Sequence, residues 1–156
     1  SPTRGIFAGG RGADAPLGQT RINVITIASK GNATRFGDCS ARHSYVAGLS
    51  NSVRGFITGG GNPTTDTIQY VTIASEGNAQ DFGNLSVAKN GISSGNSANQ
   101  VRGICAGGVE SAPAGTKVIE YITIASQGNA QDFGDMSSQR GYAGALSDSH
   151  GGLGGF

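Results

Sequence analysis

Nearly the same sentence is written three times in this chain, and that repetition limits its possible folds more than any other feature. Residues 22–38 read INVITIASKGNATRFGD, residues 68–84 read IQYVTIASEGNAQDFGN, and residues 119–135 read IEYITIASQGNAQDFGD. A second phrase keeps step with it: RGIFAGG from Arg4, RGFITGG from Arg54, RGICAGG from Arg102, and a worn copy, HGGLGGF, from His150. Starts at 4, 54, 102 and 150 give a period of 48 to 50 residues, the mark of an array built from one supersecondary unit.

Within a unit, the pattern is that of strands. In the last full copy, residues 91–97 are small, 102–106 are β-prone and close on Gly107-Gly108, 118–125 are β-branched, and 130–136 form a further short strand. No stretch has a helical period. Ile119, Tyr121, Thr123 and Ala125 alternate with Glu120, Ile122 and Ile124, so both faces of that strand carry sizeable side chains, as in a sheet covered on both sides. The Ser-X-Gly-Asn segments at Ser29, Ser75 and Ser126 are expected to be hairpin turns using positive φ, with X (Lys30, Glu76, Gln127) pointing to water. Phe36, Phe82 and Phe133, each followed by Gly, are expected to wedge between units.

Four short antiparallel strands in each cycle of about 50 residues describe a blade of a β-propeller, which hides both faces only when neighbours cover it. The expected fold is therefore all-β, one propeller segment over residues 1–156 with a partial fourth unit from residue 150. The reading gives thirteen strands, and three blades cannot close a ring when propellers use about 4 to 8. Two closures follow: a segment of a longer repeat chain, or copies that complete each other. The first residue is Ser1, not Met, so it is read as a cut boundary with targeting information outside the chain.

The order Gly-Gly, Tyr, large aromatic, small or apolar residue, then a cation resembles the kelch repeat. It runs Gly59-Gly60, Tyr70, Phe82, Leu85, Lys89 and again Gly107-Gly108, Tyr121, Phe133, Met136, Arg140; the first unit has Gly9-Gly10, Val24, Phe36, Cys39 and Arg42. Val24 replaces the Tyr, Phe stands where kelch repeats usually have Trp, and Lys89 replaces Arg, so the resemblance is to a divergent group. The phrase TIASxGNAxDFGD is also similar to repeats in long structural proteins of tailed bacteriophages, particularly marine ones. That resemblance implies an extracellular or virion-surface setting, in a tail fibre or surface protein.

Composition narrows function by exclusion. Eleven Lys and Arg are scattered among ten acids for a net charge of +1, which leaves no basic footprint for nucleic acid, and no apolar run of membrane-spanning length exists. Cys39 and Cys105 fill slots that are apolar in the other units, so they read as small hydrophobes. His43 and His150 occupy different slots, no nucleophile elbow or phosphate loop is present, and the expectation is a non-enzymatic protein without cofactor or metal. Function is expected in the loops joining second to third and fourth to first strands, which share one face of a propeller. The first set, residues 11–21, 61–67 and 109–118, differs between units. It offers Arg11, Asp14, Asn62, Asp66, Glu110 and Lys117; the second set offers Arg42, His43, Lys89, Asn90 and Arg140. Tyr45 and Tyr142 are the aromatics near these loops. Two readings stay open: recognition of a receptor or glycan through these side chains, or a purely structural module in which they are solvated or bond carbonyls between units.

Overall fold

The computed structural model of the protein describes residues 3–92, 98–111 and 114–147. They form three antiparallel sheets and, among the described residues, no helix. The first sheet runs β1 (Arg4–Ala8), β2 (Gln19–Thr26), β3 (Thr34–His43). The second is a four-stranded meander of β4 (Ala47–Ser50), β5 (Arg54–Thr58), β6 (Thr67–Thr72) and β7 (Gln80–Asn84). The third places β10 (Ala114–Thr123) between β8 (Arg102–Ala106) and β11 (Gln131–Arg140), with β9 (Val109–Ser111) also paired to β10.

The repeat in the sequence is a repeat in register. Ile6 lies opposite Val24, Phe56 opposite Tyr70, and Ile104 opposite Tyr121. In each sheet the pairing then slips by one residue, at Ile22/Asn23, Ile68/Gln69 and Ile119/Glu120, so that Phe36, Phe82 and Phe133 become the extra residue of a β-bulge. A bulge bends its strand and re-aims one side chain, and here that side chain is the aromatic ring. The Gly doublets end β1, β5 and β8 at positive φ, as expected, and in each the second Gly donates to the same slot: Gly10 to the His43 carbonyl, Gly60 to Lys89, Gly108 to Arg140. The cation slot of the first unit is therefore His43, not Arg42.

The sheets stack face to face. Ile22, Val24, Phe36 and Cys39 of the first meet Ile57 and Val71 of the second in one apolar cluster, while Phe56, Ile68, Tyr70 and Phe82 of the second meet Cys105, Ile122 and Ile124 of the third in another. The middle sheet is thus covered on both sides, and β6 is buried over Ile68, Gln69, Tyr70 and Val71. Phe36 and Phe82 are 4% and 3% exposed; Phe133, whose outer side has no following sheet among the described residues, is 55% exposed.

Polar backbone contacts lock the stack. The sharp turn after β2, β6 and β10 is Thr-Ile-Ala-Ser, closed by Ser29, Ser75 and Ser126 N–H donating to Thr26, Thr72 and Thr123 carbonyls. The Gly-Asn that follows lies outside that turn, although Gly77 and Gly128 take the positive φ expected, at 157° and 156°. Each segment instead runs along the bulged strand of the preceding sheet. Gly77 N–H donates to the Phe36 carbonyl, Ala79 N–H to Asp38, and the Asn78 carboxamide accepts from Asp38 N–H at 3.0 Å. Gly128, Ala130 and Asn129 repeat the pattern on Phe82 and Asn84. Gly37 and Gly83 lack a side chain because the carbonyls of Gly77 and Gly128 lie where a Cβ would be. A guanidinium completes each joint: Arg4 donates to the Ile73 carbonyl at 2.9 Å, and Arg54, 4.8 Å from the Tyr70 ring centroid, donates to Ile124 at 2.6 Å.

One further sequence expectation needs correction, and two others cannot be compared with the fold. Residues 109–118 are largely strand, in β9 and β10, because the third unit extends its hairpin where the others loop. The expected first strand of that unit falls mostly on residues 93–97, and the HGGLGGF copy on residues 150–156; both lie outside the described residues. Gly37→Ala tests the joint: the added methyl must displace backbone, so we expect a loss of about 1–3 kcal/mol in stability, read as a lower urea midpoint.

Candidate functional site

Strand ends bring the segments that follow β3, β7 and β11 to one edge of the stack. Tyr45, Gly91 and Tyr142 are the same repeat slot, and all three adopt left-handed backbone, at φ 55°, 52° and 57°. Backbone bonds link them across the sheets, Gly91 N–H to the Tyr45 carbonyl and Tyr142 N–H to the Gly91 carbonyl, at 3.2 and 2.8 Å. Tyr in this conformation is uncommon and strained, and such residues concentrate where a side chain must be held in one direction. The Tyr142 ring lies over Gly91, in the space a Cβ would take.

The consequence is an exposed aromatic pair with polar flanks. The Tyr45 and Tyr142 rings meet edge to face, centroids 6.5 Å apart, and remain 47% and 64% exposed. Arg11 donates to the Tyr45 hydroxyl at 2.7 Å, with its guanidinium 5.7 Å from that ring's centroid. Tyr142 donates to the Asn90 carboxamide at 3.4 Å, and Asn90 in turn reaches Thr64 at 3.2 Å. Asn62, itself at φ 62°, donates to Ser44 beside the cluster. Rings held on strained backbone present a flat, pre-ordered apolar surface, and the guanidinium, carboxamides and phenols offer donors and acceptors at its rim. That combination suits a ligand with alternating C–H and O–H faces. Among the described residues no group of His, Cys, Asp and Glu could hold a metal ion.

The other predicted residues distribute differently. Asp14 and Arg42 are exposed and line a depression with Arg21, Arg35 and Asp38, a lining that includes neither Tyr45 nor Tyr142. Asp66 uses its carbonyl to accept from Leu85 N–H at 2.7 Å. Glu110 is exposed on β9, and Lys117 on β10 pairs with Asp135 at 2.8 Å, so both belong to the extended hairpin and not to a loop. Arg140 is exposed at the end of β11.

His43 and Lys89 are not on the loop surface at all. Each is buried between sheets and meets a polar side chain from the next one. The Gln69 oxygen accepts from Ser40 N–H at 2.8 Å, so its amide nitrogen donates to His43 Nε2 at 3.0 Å, which puts the imidazole proton on Nδ1. One joint further on, Glu120 accepts from Ser86 N–H at 2.7 Å and pairs with Lys89. The same slot thus carries a neutral pair at one joint and an ion pair at the other. Cys39 and Cys105 are buried, as their slots implied, and burial pushes the thiols up to about 11 and about 12.

No protein-family model matches the chain, and no curated protein matches it either. What fold and site define is a class: an all-β repeat protein of stacked antiparallel sheets with an exposed aromatic pair at one edge. No described helix is long and apolar enough to cross a membrane.

Two stability predictions follow from the inter-sheet slot. Lys89→Met leaves Glu120 charged and unpaired in the interior and is expected to destabilise by about 3–5 kcal/mol. Adding Glu120→Gln, which rebuilds the Gln69-type acceptor, should recover most of that loss in urea melts. Burial lowers the His43 pKa below its ordinary 6.5. The unfolded chain therefore takes up a proton that the folded chain refuses, so stability is full above 6.5 and falls as pH drops from there through the lowered value. His43→Gln should flatten that slope when urea midpoints are compared across the window.

Proposed function

We propose that the chain is a non-enzymatic binding module, a kelch-like β-propeller segment of an extracellular or virion assembly such as a tail fibre, that meets a glycan or glycosylated receptor through its loop face. The observation that carries this reading is the exposed Tyr45 and Tyr142 pair, held on left-handed backbone and flanked by Arg11 and Asn90. Rings fixed before binding give up little conformational freedom on contact, and their faces match the C–H face of a pyranose while the rim groups meet its hydroxyls. The propeller in this reading is supported by the stacking of three bulged antiparallel sheets through one repeated joint. Partners of the assembly are other proteins or further copies, with neither nucleic acid nor membrane insertion.

A glycan array tests the reading. Saturable binding to a defined sugar class is expected, falling about 5- to 30-fold in Tyr45→Ala and in Tyr142→Ala, because loss of one stacking ring removes about 1–2 kcal/mol. Silence across a broad array favours instead the purely structural module, a reading that the 55% exposure of Phe133 on the outer sheet also supports.

A further inference from the structure

The joint that appears twice inside the chain is also present as two separated halves at its ends. The donor half is the Gly-Asn-Ala segment, and Gly31, Asn32 and Ala33 repeat the Gly77-Asn78-Ala79 and Gly128-Asn129-Ala130 segments that seat on preceding sheets. The acceptor half is the bulged Phe-Gly, and Phe133, Gly134 and Asp135 repeat Phe36, Gly37 and Asp38. Where a Cβ on Gly37 or Gly83 would strike backbone, a Cβ on Gly134 would meet nothing within 4 Å. Phe133 is exposed on that face, and the opposite face of the stack exposes Phe7 and Ile27 in the slots where Cys105 and Ile124 are buried.

The polar partners also match by slot. Arg102 stacks on Tyr121 at 4.9 Å as Arg54 does on Tyr70, aimed where carbonyls equivalent to Ile73 and Ile124 would stand; Ile27 holds that slot in the first sheet. Asn23 occupies the position of Gln69 and Glu120, and Arg140 that of His43 and Lys89. Lys30 replaces Gln127, which donates to the Asp81 carbonyl, and Asp132 replaces Asp81, so opposite charges would face each other.

A strand completes the match. Among the described residues the first sheet has three strands where the second has four, and beside β1 lies a cleft of about 470 Å³ lined by Arg4, Ile6, Leu49, Gly55 and Ile73 among others. Residues 142–147, YAGALS, repeat residues 45–50, YVAGLS, which include β4. Leu146 stands in the slot of the buried Leu49, yet its side chain is 97% exposed.

We infer that the two ends dock on each other between copies: the outer face of the third sheet of one chain receives the first sheet of a second chain, and residues 144–147 add the missing strand beside β1. Such a contact is heterologous, joining unlike surfaces, so it either closes a ring or runs on as a filament. The inference rests on the propeller reading for its closed form alone: two copies bring six sheets, within the range of about 4 to 8 that propellers use, whereas three bring nine.

Light scattering on the purified chain tests it, with Leu146→Asp and Asn32→Arg as variants at exposed positions outside the contacts that join Tyr45 and Tyr142 to each other, to Arg11 and to Asn90. For the closed form the expected result is twice the 15.6 kDa of one copy for the parent chain and the mass of one copy for each variant, with unchanged circular dichroism. A parent chain of single mass, or variants that keep the doubled mass, overturns the joint. A ladder of higher masses that both variants collapse supports the joint and overturns the closed ring, and with it the propeller. Glycan binding measured on the Leu146→Asp monomer separates this question from the loop face.

Discussion

Everything in this fold hangs on the seating of a short extended segment across a glycine in the neighbouring sheet. A three- or four-stranded sheet with apolar residues on both faces is unstable alone in water, and the backbone edge of each bulge needs partners. The Gly-Asn-Ala segment meets both requirements at once. Its N–H groups and Asn side chain pair with the bulged strand at Phe36 and Phe82, and its path places the next sheet close enough to bury those rings. The glycine that permits this approach and the phenylalanine that fills the space are adjacent in sequence because one bulge produces both.

Strand content was legible in the sequence because β-branched blocks recur in phase with Gly doublets, and three copies reinforce one another. The cysteines and the wedges at Phe36 and Phe82 were legible for the same reason: a slot that is apolar in two units is apolar in the third. The errors arose where meaning depends on tertiary contact. Ser-X-Gly-Asn has the chemistry of a tight turn, but the turn forms one step earlier at Thr-Ile-Ala-Ser, and the Gly-Asn serves the neighbouring sheet. The cation slot was misplaced by one residue at Arg42 because Arg is a better formal match to Lys89 and Arg140 than His43 is. Only the shared bond from the second doublet glycine fixes the register.

The candidate site was half visible. Tyr45 and Tyr142 could be placed near loops from the sequence, but their common left-handed backbone, and the Gly91 that makes room for one ring, belong to three-dimensional packing. Lys89 and His43 illustrate the opposite error. A cation at a strand end looks solvated in a sequence, and nothing local reveals that Glu120 or Gln69 arrives from the next unit to cover it.

That alternation of pairs has a consequence for assembly order. Units with interchangeable apolar faces could stack in the wrong sequence during folding, a known hazard of repeat arrays. Here, Lys89 facing Gln69 would bury a cation without its counter-ion, and Glu120 facing neutral His43 would bury an anion in the same state. Each seam therefore carries its own polar key, and a shuffled stack is penalised at the position where the native one pairs Lys89 with Glu120 and His43 with Gln69.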